Sequence, residues 1–124
     1  MARRGYSAWN DDDVEGLLAT MHEDVSYVTS GVFPGMRERY EGHGGVRDFL
    51  EDFGGPWDRV DVLPEAMEEL DGERILVRVR FQARGRGGIE VERVFYNLLT
   101  FRGGLLAQFR GFAEREDALA AAAA

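Results

Sequence analysis

Cysteine and lysine are both absent from this sequence, and the two absences exclude several kinds of chemistry. All 15 cationic side chains are arginine. Without cysteine the chain can form no disulfide, thiol nucleophile or thiolate metal site, and without lysine it can form no Schiff base. Histidine is scarce as well, since only His22 and His43 occur. Two histidines are too few for a typical zinc site, so we expect neither a metal nor an organic cofactor.

Long hydrophobic runs are missing too, and the charge balance is acidic. No stretch approaches the length that spans a membrane, and the beginning, "MARRGYSAW", lacks the apolar centre of a signal peptide. A cytoplasmic protein with no membrane partner is therefore expected. The net charge of −8 argues against nucleic acid as a partner. The basic stretch "ARGRGG" at 83–88 lies between two strand-like runs, which favours a hairpin turn over an RNA-binding motif.

Familiar catalytic motifs are not found either. The sequence has no Gly-x-Ser-x-Gly nucleophile elbow, no phosphate-binding loop and no dinucleotide fingerprint. Any chemistry must therefore use Asp, Glu, Tyr, Asn, Arg, Thr, Ser, His or bound water.

The first half of the chain contains helical patterns. At 124 residues, 44% of them apolar, the chain is long enough for one domain with one core. Apolar residues at helical spacing predict helices over 11–21 and 43–53. Asp11 or Asp12 can cap the first of them, and 3–10 has room for at most two turns of an earlier helix.

Strand patterns occupy most of the remaining chain. The predicted strands are 24–30, 57–70 with an interruption at Pro64, 73–84, 88–101 and a last strand that begins at Leu105. A turn at 85–87 should join the third and fourth as a hairpin, and 31–42 is expected to be a loop. Helices followed by long antiparallel strands are typical of the α+β class. The helices would cover one face of a curved antiparallel sheet and leave an internal pocket at its wide end.

The last strand has a gap in its apolar face. Its inward-facing residues are predicted to be Leu105, Ala107, Phe109, Gly111 and Ala113. Its outward-facing residues are predicted to be Leu106, Gln108, Arg110, Phe112 and Glu114. A glycine inside a strand weakens it and often marks a close approach by a ligand or by backbone. Gly111 is therefore a candidate pocket residue.

Four stretches of the chain resemble the SnoaL-like branch of the nuclear transport factor 2-like superfamily. They are "YSAWNDDDVEGLLATMHEDV" (6–25), "YEGHGGVRDFL" (40–50), "WDRVDVLPEAMEELDGERILVRVRFQARGRG" (57–87) and "FRGGLLAQFRGFAEREDAL" (101–119). The resemblance implies a cone-shaped sheet wrapped around two or three N-terminal helices, with an apolar pocket and a homodimer. We accordingly assign 1–119 to a single SnoaL-like domain and 120–124 to an alanine-rich tail. Relatives include ketosteroid isomerases, limonene epoxide hydrolases, scytalone dehydratases and polyketide cyclases, so the fold does not give the function.

The resemblance also places catalytic positions of those relatives on this chain. The general base of the ketosteroid isomerases corresponds to Thr29, whose hydroxyl cannot act as a carboxylate base. Their protonated Asp, which donates a hydrogen bond to the oxyanion, corresponds to Asn97. Their oxyanion tyrosine falls near Gly5 or Tyr6, so Tyr6 is a doubtful substitute. The essential Asp of cyclases and epoxide hydrolases corresponds to Gly111, which implies that this acid is missing.

Nine residues are candidates for contact with a small molecule. They are Trp9, Tyr27, Thr29, Phe81, Arg93, Phe95, Asn97, Phe109 and Gly111. Catalytic residues are not assigned, and the weak candidates are Asn97, Tyr27 and Tyr96. Each has a structural alternative, since the aromatic rings can be plain core and the Asn97 amide can be satisfied by its neighbours. Arg93 can anchor a ligand or pair with Glu23 or Asp24, and we favour the pair.

These observations predict a small-molecule binding protein or a weak cofactor-independent isomerase, cyclase or dehydratase. Its ligand would be a flat hydrophobic compound such as a polyketide, steroid or terpenoid. The alternative is a non-catalytic dimeric accessory domain whose vestigial cavity is filled by Trp9 and Phe109. The expected homodimer would bury the outer sheet face, where apolar side chains are predicted to be exposed. These side chains are Val94, Tyr96, Leu98, Leu106 and Phe112.

Overall fold

The computed structural model describes residues 2–30, 35–54, 57–85 and 87–123. The helices in these ranges are α1 (Ala2–Asn10), α2 (Val14–Ala19), α3 (Gly42–Gly54) and α4 (Arg115–Ala123). The strands are β1 (Met21–Val28), β2 (Arg39–Glu41), β3 (Trp57–Glu69), β4 (Arg74–Gly85), β5 (Glu90–Arg102) and β6 (Leu105–Phe112). Parts of three predicted segments lie outside the described residues: 31–34 in the loop, Arg86 in the hairpin turn and Ala124 in the alanine-rich tail.

The strands form one sheet in the order β2-β1-β6-β5-β4-β3, and α1, α2 and α3 pack on one face of it. This curved sheet with N-terminal helices confirms the predicted α+β class. The sheet is antiparallel as predicted except at one pair, since β1 and β6 run parallel with Tyr27 beside Phe109. The chain reverses direction at each turn of the meander β3-β4-β5-β6, so β6 runs opposite to β3. Because β3 itself runs opposite to β1, β6 lies beside β1 in the same direction. The other neighbouring strands are antiparallel.

The long meander follows the predicted alternation. The hairpin prediction is confirmed, since β4 and β5 pair antiparallel from Arg74 beside Thr100 to Arg84 beside Glu90. The predicted interruption at Pro64 is also confirmed: β3 lies at the sheet edge, and its pairing register shifts after Pro64. A proline cannot donate a ladder hydrogen bond, so it is accommodated at an edge or a bulge.

The helices near the beginning differ in extent from the predicted ones. The α1 helix is 9 residues long, which is more than two turns. The α2 helix is only 6 residues long, because its cap is Asp13, whose side chain accepts a hydrogen bond from the Gly16 amide at 2.9 Å. Asp12, predicted as a possible cap, has a positive φ of 55° and forms the break between the two helices.

Two apolar clusters lie on opposite faces of the sheet. The larger one fills the space between the sheet and α1, α2 and α3, with Val25, Val46 and Val77 fully buried. The smaller one lies on the outer face under α4, which covers Leu98 and Phe112. These two residues were expected to be exposed at a dimer interface, and they are only 3% and 8% exposed. The outer face beyond α4 carries ion pairs, such as Arg80 with Glu65.

Leu106 was also placed on the outer face, and it lies on the inner one. The pairing of β5 with β6 shifts between Thr100 and Phe101, which leaves Ala107 as an extra residue in β6. Such a bulge changes the face to which the preceding residues point. Leu106 is therefore buried in the larger cluster beside Phe109. Three of the five apolar residues of the predicted interface are therefore buried, and little exposed apolar surface supports that interface. The homodimer stays a prediction.

Candidate functional site

A cavity lies between the helices and the inner face of the sheet. About 90 Å³ of it is open to the centres of water-sized molecules, whereas one water needs about 10–15 Å³. Both Trp9 and Phe109 line this space without filling it. The described lining includes nine aromatic side chains, which are Tyr6, Trp9, Tyr27, Phe49, Phe53, Phe81, Phe95, Phe101 and Phe109.

The aromatic rings pack against one another and define flat walls. Tyr27 stacks on Phe109 with 4.4 Å between ring centroids and 17° between ring planes. Phe81 meets Phe95 edge to face at 6.0 Å. Offset and edge-to-face contacts of this kind hold each ring in a defined orientation. The cavity is therefore suited to a planar apolar ligand.

One end of the cavity is polar. Asn97, in the middle of β5, donates a hydrogen bond from Nδ2 to the Tyr6 hydroxyl oxygen at 2.8 Å. Since this oxygen accepts the bond, the Tyr6 O–H group keeps its own proton for another acceptor. The Tyr27 hydroxyl has no hydrogen-bond partner among the described residues. None of the fully buried side-chain nitrogen and oxygen atoms of these residues lacks such a partner, so the Tyr27 hydroxyl is not fully buried. Because Tyr27 lines the cavity, its hydroxyl opens into that space.

Both tyrosines stay protonated over a wide pH range. Burial raises the pKa of Tyr6, and the hydrogen bond from Asn97 offsets part of that increase. Burial also raises the pKa of Tyr27, and the nearby Tyr6 raises it further. A buried phenolate would lose its hydration without gaining a cationic partner. The two hydroxyls are thus neutral hydrogen-bond donors.

The predicted candidates separate into two groups. Trp9, Tyr27, Phe81, Phe95, Asn97 and Phe109 line the cavity, and they come from α1, β1, β4, β5 and β6. Thr29, Arg93, Tyr96 and Gly111 are not in the described lining. The central residues of the inner face are therefore brought together, and the candidates near strand ends or on the other face are not.

Each of the four residues outside the lining has a physical reason for its place. Thr29 is fully buried, and its hydroxyl donates to the Arg37 carbonyl at 3.0 Å, so it closes a loop. Arg93 lies near the start of β5 and is exposed. Tyr96 packs with the outer cluster under α4, which removes it as a proton donor in the cavity. Gly111 is buried beside Asn97 in the β5–β6 pair.

The favoured ion pair of Arg93 with Glu23 or Asp24 is not found. Within residues 2–30, 35–54, 57–85 and 87–123, no salt bridge includes Arg93. Its position at the open end of the strand leaves the guanidinium in solvent, where ion pairing contributes little.

Tyr6 is the site residue that the sequence reasoning underrated. It lies on α1, and only the resemblance to ketosteroid isomerases placed a tyrosine near it. No local pattern links Tyr6 to Asn97, since 91 positions separate them. The contact depends on how α1 packs against the inner face of the sheet, which is a tertiary feature.

Acidic, basic and metal-binding groups are scarce in this cavity. None of the described lining residues is Asp, Glu, His or Arg. The part of the chain that the structure describes also contains no group of three or more His, Asp or Glu placed to hold a metal ion. None of its helices has both the length and the apolar character that crossing a bilayer requires. The chemistry available to the described lining is hydrogen bonding by neutral groups.

The raised pKa values lead to an alkaline stability prediction. Above about pH 10 the unfolded chain loses tyrosine protons that the folded chain retains, so the free energy of unfolding falls as pH rises. Each such tyrosine contributes up to about 1.4 kcal/mol per pH unit. We expect Tyr27→Phe, which keeps the ring stacked on Phe109, to lose less stability than the wild type between about pH 9 and about pH 11 in urea unfolding. Equal losses in the two proteins would contradict the assignment of a buried Tyr27 hydroxyl.

Comparison with known proteins supports the same fold. A family profile described as a SnoaL-like domain matches residues 2–109. No curated protein matches the chain in sequence. The chain is similar to TerC co-crystallised with polyporic acid, with 23% identity and a TM-score of 0.82 over 94% of this chain and 90% of TerC.

Two further solved structures are similar over nearly their whole length. An NTF2-like protein of unknown function from Burkholderia pseudomallei is 23% identical with a TM-score of 0.81, over 96% of this chain and 92% of that protein. A Mycobacterium tuberculosis protein in complex with estradiol-17β-hemisuccinate is 19% identical with a TM-score of 0.78, over 93% of this chain and 92% of that protein. At these identities the similarity establishes the fold alone.

Proposed function

We propose that this chain, which belongs to the SnoaL-like domain family, binds a flat hydrophobic small molecule through an oxygen that accepts hydrogen bonds. The observation that carries the proposal is the Tyr6–Asn97 hydrogen bond at the end of an aromatic cavity. A polar pair inside an apolar wall gives a ligand both binding energy and one orientation.

The polar end favours a carbonyl oxygen over a charged group. The Tyr6 and Tyr27 hydroxyls can each donate a hydrogen bond, and the described lining residues include no cation to neutralise a carboxylate. A carboxylate buried without a partner costs several kcal/mol, while a ketone or quinone oxygen costs far less. Two of the similar proteins were crystallised with hydrophobic compounds, polyporic acid and estradiol-17β-hemisuccinate, which supports the hydrophobic character of the ligand. Both compounds also carry an acidic group, so the preference for an uncharged oxygen depends on the described lining of this chain alone.

Binding without proton transfer is favoured over catalysis. A general base must come within hydrogen-bond reach of the proton that it removes. The described lining holds no carboxylate or imidazole, and the position that corresponds to the isomerase base is Thr29, which lies outside the lining and bonds to a loop carbonyl. The hydroxyls of Tyr6 and Tyr27 can polarise a carbonyl, but their raised pKa values keep them protonated, so no phenolate is available to act as a base. We therefore place a binding role before a weak enzymatic one.

Calorimetry with two ligands of similar shape tests the proposal. We expect 2-acetylnaphthalene to bind about tenfold more tightly than 2-ethylnaphthalene, because one net hydrogen bond contributes about 1.4 kcal/mol. Tyr6→Phe should reduce that preference, since the acetyl oxygen loses one of its two hydroxyl donors while the aromatic wall remains.

The matched control is Tyr96→Phe, which removes the same hydroxyl from a ring on the outer face under α4. It should leave both affinities and their ratio unchanged. If neither naphthalene binds the wild type, the proposal fails and the accessory domain with a vestigial cavity is the better account. If both bind without preference, the cavity binds ligands but the polar end has no role in recognising them.

A further inference from the structure

A groove on the protein surface lies next to the cavity. It is formed by the turn between α1 and α2, the end of α3 and the first half of β3, and about 610 Å³ of it is open to the centres of water-sized molecules. Three side chains, those of Trp9, Leu17 and Phe53, line both the groove and the inner cavity. These three side chains therefore form the wall between the outer and the inner space.

Trp9 is the most exposed of the three side chains in this wall. Its ring meets Phe53 edge to face at 5.4 Å and reaches Phe49 at 6.2 Å. Phe53 is only 7% exposed, whereas Trp9 is half-buried and faces the groove. The Trp9 side chain is therefore the member of the wall that its neighbours enclose least.

The backbone beside Trp9 is held in place. The Asn10 side chain bonds to Val62 of β3 twice, accepting from the amide N–H and donating to the carbonyl oxygen, both at 2.8 Å. This pair of bonds imitates the ladder of a neighbouring strand and ties the end of α1 to the sheet edge. Displacing α1 would break both bonds, so rotation of the Trp9 side chain is the less costly way to open the wall.

We infer that the groove is the route by which ligands reach the cavity and that Trp9 is the gate residue that controls passage. This inference rests on the proposed binding function and adds the path and the residue that limits it. A gate of this kind sets how fast ligands exchange, and it selects flat compounds that pass a partly turned indole ring.

Stopped-flow kinetics tests the gate with 6-acetyl-2-dimethylaminonaphthalene, whose own fluorescence reports transfer to an apolar site. We expect Trp9→Ala to raise the association and dissociation rate constants at least tenfold each, with a smaller change in their ratio. Trp9→Phe, which keeps an aromatic wall and guards against misfolding of the alanine variant, should raise both by a smaller factor. The control is Leu63→Ala, because Leu63 lies on β3 and is in the described lining of neither the groove nor the cavity, and it should leave both rate constants within about twofold.

The outcomes separate the gate from the binding function. Binding with unchanged rate constants in both Trp9 variants would overturn the gate and leave the proposed function standing. No binding to the wild type would overturn both. If Asn10→Ala accelerates binding as much as Trp9→Ala does, the helix moves as a unit and the assignment of the gate to the Trp9 side chain is wrong.

Discussion

Replacing Gly111 with Asp should destabilise the folded protein by several kcal/mol at neutral pH and by less in mild acid. Gly111 is buried and lies directly opposite Asn97 in the β5–β6 pair. Side chains of directly opposed residues share a face, so an Asp here would point to the inner, apolar side with Asn97. Burying its charge without a cation raises the pKa of the new carboxyl above the ordinary value of about 3.9.

The sign of the pH effect follows from that raised pKa. As pH falls through the folded-state pKa, the folded chain takes up a proton that the unfolded chain does not yet bind, and the penalty decreases. Gly111→Asn is the matched control, because it adds nearly the same atoms without a charge. The gap in unfolding free energy between the two variants should narrow from about pH 8 to about pH 5. A gap that does not change with pH would show that position 111 faces solvent, and the missing-acid explanation of this glycine would have to be abandoned.

Truncating Phe49 should cost the fold about 3–5 kcal/mol in the free energy of unfolding. Its ring is 3% exposed and lies within 5.2–6.2 Å of the rings of Trp9, Tyr27, Tyr40 and Phe53. It therefore joins α1, α3 and the first strands into one aromatic cluster. Phe49→Ala removes those contacts and enlarges the cavity, and both effects destabilise the protein.

Chemical unfolding of Phe49→Ala beside Leu63→Ala measures that cost. Leu63 lies on the edge strand and is 39% exposed, so its truncation removes an apolar side chain that few neighbours contact. We expect a change below about 1 kcal/mol for Leu63→Ala. Similar losses in the two variants would mean that the aromatic cluster is not the centre of the core.

The periodicity of apolar residues in the long strands predicts most of the fold. The alternation in β4 and β5 correctly predicts their pairing and places Val77, Phe95 and Leu99 on the inner face. The parallel pairing of β1 with β6 could not be derived from the alternation of side chains, because that alternation is the same in parallel and in antiparallel strands. The three-residue strand β2 was assigned to a loop because so short an element has no readable period.

The site was predictable where it depends on strand faces and not where it depends on tertiary contacts. The resemblance to ketosteroid isomerases led to Asn97, a strand residue that lines the cavity. The face of Leu106 was inverted, because a bulge at Ala107 leaves no signature in residue types. Tyr6 stayed doubtful for a related reason: the distance from α1 to β5 is set by how the whole helix packs.

A crystal structure of the wild-type protein with 2-acetylnaphthalene would show directly whether Tyr6 recognises the ligand oxygen. We expect the ring system to lie among the aromatic side chains and the acetyl oxygen to lie about 2.6–3.2 Å from the Tyr6 hydroxyl oxygen. A complex in which the ring lies in the cavity but the acetyl oxygen points away from Tyr6 and Asn97, or in which the compound occupies only the outer groove, would contradict this expectation.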